Sequence, residues 1–357
     1  MTDRLSILYL GVDRGTSRHR LNSLRRLGHS VCVVDPESLL WYQAAVDYWI
    51  RHGSGIFIGG SARRRVLSAL GSREFDLAFV NGGALVDRAL ATELKRRCAA
   101  VVNYNNDDPF GRRDGGKWRL YLKALPVYDL AIVVRECNVG EARAAGARDV
   151  LRVYMSADEV AHSPRPLTEE DRYKWGSSVA FIGTWMPERG RFLARLIELG
   201  VPLAIFGDRW HKAPEWPLLL PHWRGPNLFA DDDYAKAVQC AGVCLGLLSK
   251  GNRDLSTTRS FEIPHLGGVL CAERTSEHLD LYREDEEAVF WDGPEECAEK
   301  CRLLLAGAGF RKRLSEAGRE RCVRNQTTNG KILDHILTVA TSRVSLTSLN
   351  AAEVACT

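Results

Sequence analysis

Short apolar runs alternate with longer amphipathic stretches along most of the chain. "LSILYLG" (5–11), "HSVCVVD" (29–35), "FDLAFVNGG" (75–83), "AAVVNYN" (99–105), "YDLAIVV" (128–134) and "DVLRVYM" (149–155) are nearly continuous in hydrophobic residues. Such runs predict strands buried on both faces. Between them, "SRHRLNSLRRLG" and "ALVDRALATELKRR" carry apolar residues at helical spacing, and Gly28 closes the first as a C-cap. This β-α-β alternation predicts a parallel sheet covered by helices on both faces.

The rhythm breaks at 156–178, "SADEVAHSPRPLTEEDRYKWGSS", which reads as an interdomain linker. It restarts with "SVAFIG" (178–183), "VPLAIFG" (201–207), "AGVCLGLL" (241–248), "GGVLCAE" (267–273) and "AVFWDG" (288–293), and a helical part follows from about 294 to 340. The expected layout is an N-terminal Rossmann-like domain, 1–157, completed by a C-terminal helix at 326–340. A second Rossmann-like domain spans 158–325, and 341–357 forms a flexible tail. Two doubly wound α/β domains facing a central cleft would bind ligands beyond the carboxyl ends of their strands.

Composition narrows the function. At 357 residues the chain can bury two cores, and 45% hydrophobic with 26% charged residues is globular. A net charge of +4 gives no reason to expect nucleic acid or a membrane surface as partner. The arginine clusters at 18–26 and 63–65 read as solvated helix faces. No secretory leader precedes "RLSILYLG" and no apolar run reaches a membrane span, so a cytoplasmic protein is expected. The ten cysteines include i, i+4 pairs at Cys240/Cys244 and Cys297/Cys301 but no C-x-x-C. They read as buried reduced thiols, and no metal site or cofactor is expected.

Four strand-end loops carry candidate chemistry. "GVDRGTSRHR" (11–20) lacks a dinucleotide fingerprint, but Arg14, Arg18 and His19 could hold an anion at a helix N-terminus, or the segment is a plain turn. "NYNNDDPFG" (103–111) offers the paired acids Asp107 and Asp108 as base, acceptor-hydroxyl ligand or helix cap, with Asn103 on the possible acceptor or phosphate side. "FIGTWMPERGRF" (182–193) sets Gly183 and Thr184 beside Arg189, a guanidinium at a helix start that suits phosphate. "GNRDLSTTRSFEIPHLGG" (251–268) crowds Arg253, Asp254, Thr258, Arg259 and Glu262 around one short helix, shortened by Pro264 and capped by Gly267.

These blocks, "NRDLSTTRSFEIPHLGGVLCAE" with "VAFIGTWMPERG" and "LAIFGDRW", resemble the CgeB-like glycosyltransferases, which are similar to the retaining GT-B enzymes that use nucleotide sugars. The resemblance covers about 178–325 and, in the first domain, mainly "NNDDP". It implies a GT-B fold. "GTWMPERG" has the spacing of the family's Gly-Arg-x-x-x-x-Lys-Gly motif: Gly183 holds the first glycine and Arg189 replaces the lysine that contacts the diphosphate. Thr184 stands where arginine is usual, a charge that Arg253 or Arg259 would replace. Asp254 and Glu262 match the family's two acids separated by seven residues. The resemblance makes Glu262 the acceptor of the ribose hydroxyls and places Asp254 near the donor sugar.

The expected activity is sugar transfer from a UDP-, GDP- or dTDP-sugar to a small-molecule or glycan acceptor, with retention and without metal. A nucleotide-sugar epimerase of the same architecture, or a non-catalytic binding or assembly protein, are the competing readings.

Overall fold

In the computed structural model, which describes residues 4–40, 46, 48–50, 55–111, 113–228 and 231–354 (side chains to 342), the apolar runs form two six-stranded parallel sheets. The first contains β1 (Ser6–Leu10), β2 (Ser30–Val34), β3 (Phe75–Asn81), β4 (Cys98–Asn105), β5 (Leu130–Val133) and β6 (Val150–Arg152), in the order β2-β1-β3-β4-β5-β6. The second contains β7 (Ser177–Ile182), β8 (Leu203–Phe206), β9 (Trp223–Gly225), β10 (Ala241–Gly246), β11 (Leu270–Glu273) and β12 (Val289–Trp291), in the order β12-β11-β10-β7-β8-β9. Every run expected to be a strand contains one, most of them shorter than the run. β9 was not expected, because "WRG" has no apolar run to announce it.

The chain divides into two compact units, Met1–Tyr154 with Asn329–Thr357, and Met155–Thr328. In the first, β1, β3 and β5 are buried through most of their length, as strands covered on both faces must be. The edge strand β2 is only partly covered. The last helix, Asn329–Val354, packs on the helix Gly15–Arg26 and on β4 through Leu333, Ile336 and Leu337. It runs on through the segment expected to be a flexible tail, and residues 355–357 of that segment lie outside the described ones.

The second unit begins at Met155 and takes in the segment read as a linker. Thr168 and Asp171 form a reciprocal capping box, which starts a helix at Glu169–Trp175. Ala157 bridges Thr328, and His162 Nδ1 accepts from the Asp158 N–H at 2.8 Å. This stretch is therefore part of the unit rather than a tether. Strand order reverses between β1 and β3 in the first sheet and between β7 and β10 in the second. Ligands of doubly wound sheets bind at such points.

Candidate active site

The switch point of the second sheet opens with Gly183, directly after β7. Its N–H donates to Phe206 O at 2.8 Å, and its carbonyl accepts from Trp210 Nε1 at 3.0 Å. Gly207, after β8, sits so close that an added Cβ would lie 1.9 Å from that carbonyl. Only a residue without a side chain fits there. Asp208 and Asn227 bond reciprocally, and Asn227 Nδ2 also reaches Thr184 Oγ1 at 3.3 Å. The loops after β7, β8 and β9 are thus tied into one block.

Arg189 lies in the first turn of the helix Pro187–Glu198. Its Nη1 donates to Thr184 O at 3.0 Å and its Nη2 to Leu247 O at 3.1 Å, which joins the β7 loop to the residue just past β10. The Cζ stands 5.6 Å from the Phe181 ring centroid. A cavity of about 300 Å³ adjoins it, lined by Phe192, Leu248, Lys250 and Trp291 among others.

From β10 the chain enters the loop that carries Arg253 and Asp254. Arg253 is exposed, in the left-handed region at φ 55°. Asp254 is buried, and its N–H points to Ser249 O. The helix Thr258–His265 follows, with no acid in its first turn. Gly267 ends it at φ 78°, with the Gly268 N–H returning to Ile263 O. This is the glycine C-cap expected from the sequence. At the other end the Thr257 N–H donates to Ser260 Oγ, which stands 2.7 Å from His278 Nε2.

Glu262 is buried on this helix. Its Oε2 accepts from Arg259 Nη1 at 2.7 Å and from Tyr234 Oη at 2.9 Å, while its Oε1 lies 3.6 Å from His162 Nε2. Burial pushes the Tyr234 phenol well above its usual range; Arg259 opposes this and Glu262 adds to it, so the phenol stays a donor. Arg259 also sends Nε to Ile182 O at 3.2 Å and Nη1 to Thr258 Oγ1 at 3.2 Å. Its Nη2 makes no bond among the described residues, and 32% of its side chain stays open. Arg189 is therefore anchored at the carboxyl ends of β7 and β10, and Arg259 at that of β7.

In the first unit the candidates are placed differently. Arg14 pairs with Glu37 at 3.1 Å and Arg18 with Asp13 at 2.9 Å, both on the surface. His19 is half-buried on the same helix. Arg20, which the sequence placed in a solvated arginine face, is instead buried: it bonds Asn81 Oδ1 at 2.8 Å and stands 4.7 Å over the Tyr104 ring. Asn103 is fully buried and donates to Gly82 O at 3.1 Å. Asp107 pairs with Lys117 at 3.1 Å. Asp108 is buried and accepts from the N–H groups of Phe110 and Gly111 and from Asn138 Nδ2. Among the described residues no helix starts here, so the bonds of Asp108 close a turn rather than cap a helix.

Tyr234 and His162 complete the environment of Glu262, and neither was marked in the sequence. Tyr234 occupies an inward position of the ordinary amphipathic helix Asp231–Cys240. His162 sits in the stretch taken for a linker.

Residues 189–338 match a family model described as glycosyl transferase-like. No curated protein sequence matches the chain significantly. Solved structures do. Sucrose-phosphate synthase from Thermosynechococcus elongatus superposes with a TM-score of 0.68 at 11% identity, over 95% of this chain and 100% of that one. HepE of Anabaena, solved with UDP and glucose, gives 0.68 at 12% identity over 95% and 100%. The trehalose 6-phosphate synthase of Burkholderia multivorans gives 0.60 at 10% identity over 97% and 100%. The chain has the GT-B fold of these glycosyltransferases.

Proposed function

We propose that the protein transfers a sugar from a nucleoside-diphosphate donor to an acceptor. The observation that carries this is the pair of arginines held at the switch point of the second sheet: Arg189 by two backbone carbonyls, Arg259 by Ile182 O and Glu262. A leaving diphosphate develops negative charge, and pre-oriented guanidinium groups beside an acid-free helix N-terminus stabilise it without reorganising. Arg259 keeps Nη2 as a donor for this purpose. The match of 189–338 to a glycosyl transferase-like model and the UDP held by HepE support the same donor class.

Glu262 is the acceptor proposed for the ribose hydroxyls. An ionised carboxylate takes two O–H donors well, and Arg259 and Tyr234 occupy one oxygen and fix its plane. Asp254 is the group proposed beside the donor sugar. With cationic charge supplied by side chains, the reaction is proposed to run without metal and with retention, the leaving phosphate taking the acceptor proton.

The test is calorimetric titration with UDP, GDP and dTDP, followed by a screen of their sugar conjugates read by mass spectrometry. Micromolar binding of one nucleotide with hydrolysis or transfer of its sugar supports the assignment. Products inverted within the sugar ring point to an epimerase. Binding without turnover leaves a binding protein, which Thr184 at the usual arginine position would favour. Absence of binding to all three overturns the donor site.

A further inference from the structure

On the β11–β12 side of the second sheet, a cysteine pair and a third cysteine distant in sequence meet in the core. Cys271 lies on β11, while Cys297 and Cys301 lie one turn apart on the helix Pro294–Ala306. Residues four apart on a helix share a face, so both thiols look toward the strand. The three Sγ atoms all lie within 4.8 Å of one another, and all three residues are buried. Val243, Leu245, Val289 and Leu304 belong to the same apolar cluster. The thiols are free.

We propose that Cys271, Cys297 and Cys301 form a binding site for a soft, three-coordinate thiophilic ion, monovalent copper. A metal–thiolate bond of about 2.3 Å sets three sulfurs around one ion roughly 4 Å apart. The observed separations allow that with small side-chain movements. Hard cations require oxygen ligands, and the cluster offers only sulfur. Structural zinc takes four ligands, whereas this group has three members among the described residues and belongs to the apolar core. Copper(I) is favoured by thiolate and is content with three sulfurs. No electron moves: the ion enters as Cu(I), and each sulfur that ligates as thiolate releases one proton to solvent. The bound ion ties the helix Pro294–Ala306 to β11, so loading stabilises the second unit by mass action.

The experiment is an anaerobic titration of the reduced full chain with Cu(I), in competition with a chromogenic Cu(I) chelator. It is run on native protein and on protein refolded with the ion, with Zn(II) in parallel. One copper retained per chain, three sulfur neighbours by copper-edge X-ray absorption, and a raised thermal midpoint are expected. Cys301→Ala should lose this copper and Cys137→Ala, an exposed thiol, should keep it. If Cys301→Ala does not fold, the sulfur count and proton release of the native chain decide. No retention in either preparation, a two-sulfur site, or zinc held as tightly as copper overturns the proposal.

Discussion

Glu262→Gln tests the centre of the candidate site with little change of shape. In the wild type, Oε2 takes N–H from Arg259 at 2.7 Å and O–H from Tyr234 at 2.9 Å, in a residue only 2% exposed. A hydrogen bond to a charged group is worth about 1.5–3 kcal/mol and a neutral one about 0.5–1.5. Removing the carboxylate charge makes the Tyr234 bond neutral and weakens the Arg259 bond, whose donor stays charged, which costs about 1–2 kcal/mol. Arg259 then loses its carboxylate, and breaking a buried pair carries its own penalty, so the total is about 2–4 kcal/mol. For a unit of this size that lowers the melting midpoint by ~5–15 °C. Urea unfolding reads the first quantity and scanning calorimetry the second. Calorimetric titration with UDP, GDP and dTDP then reads the ligand, with an expected affinity loss of about tenfold or more. Tyr234→Phe separates the two effects: it removes one donor, costs ~1 kcal/mol of stability, and should lower affinity less than Glu262→Gln does. A Glu262→Gln protein within ~0.5 kcal/mol of wild type would refute the described bonding. Normal nucleotide affinity in a destabilised variant would refute the ribose role alone.

Arg189→Ala should weaken nucleoside-diphosphate binding about 10–100-fold, since it removes both a cation and the tie between Thr184 O and Leu247 O; unchanged titration curves in a folded variant would count against it. Asp254→Asn should leave nucleotide affinity nearly intact and lower kcat with the sugar donor by roughly 10²-fold; equal affinity losses in Asp254→Asn and Glu262→Gln would place both acids in one structural cluster. Turnover should persist in EDTA, and loss of rate restored by Mn²⁺ or Mg²⁺ would refute metal independence. His278, lowered by burial from the ordinary 6.5, should make stability fall as pH drops below about 6.5. The unfolded chain takes the proton more readily than the folded one, whose Nδ1 donates to Glu273 O and whose Nε2 accepts from Ser260. His29 is lowered in the same direction by burial, so His278→Gln should reduce the slope of urea midpoint against pH between 7.5 and 5 without abolishing it.

What could be read from the sequence and what could not divide along physical lines. Strands covered on both faces announce themselves as unbroken apolar runs, so eleven of the twelve were visible and β9, "WRG", was not. Helix ends were visible where a residue type is forced, as at Gly267. The stretch 156–178 was misread because proline, serine and charge are common to linkers and to short capped helices. Thr168 three residues before Asp171 was the signal that separates them. In the site, the spacings Gly183 to Arg189 and Asp254 to Glu262 were legible. The partners of Glu262 were not, because Tyr234 and His162 come from other elements that only the tertiary fold brings near. The three cysteines were missed for the same reason: the pair one helical turn apart was plain, but nothing in the chain's spacing connects them to Cys271 on a strand.

The return of the helix Asn329–Val354 to the first unit has a consequence for how the molecule is made. The second unit is one uninterrupted segment and can close as soon as residue 328 has emerged from the ribosome. The first unit cannot, since the surface of Gly15–Arg26 and β4 awaits a helix synthesised after the second unit. At about 5–20 residues per second, the intervening segment keeps that surface uncovered for roughly 10–35 s. During this interval the N-terminal segment is a natural client for a chaperone. The half begun first is thus completed by a helix that lies beyond the whole of the second unit in the chain.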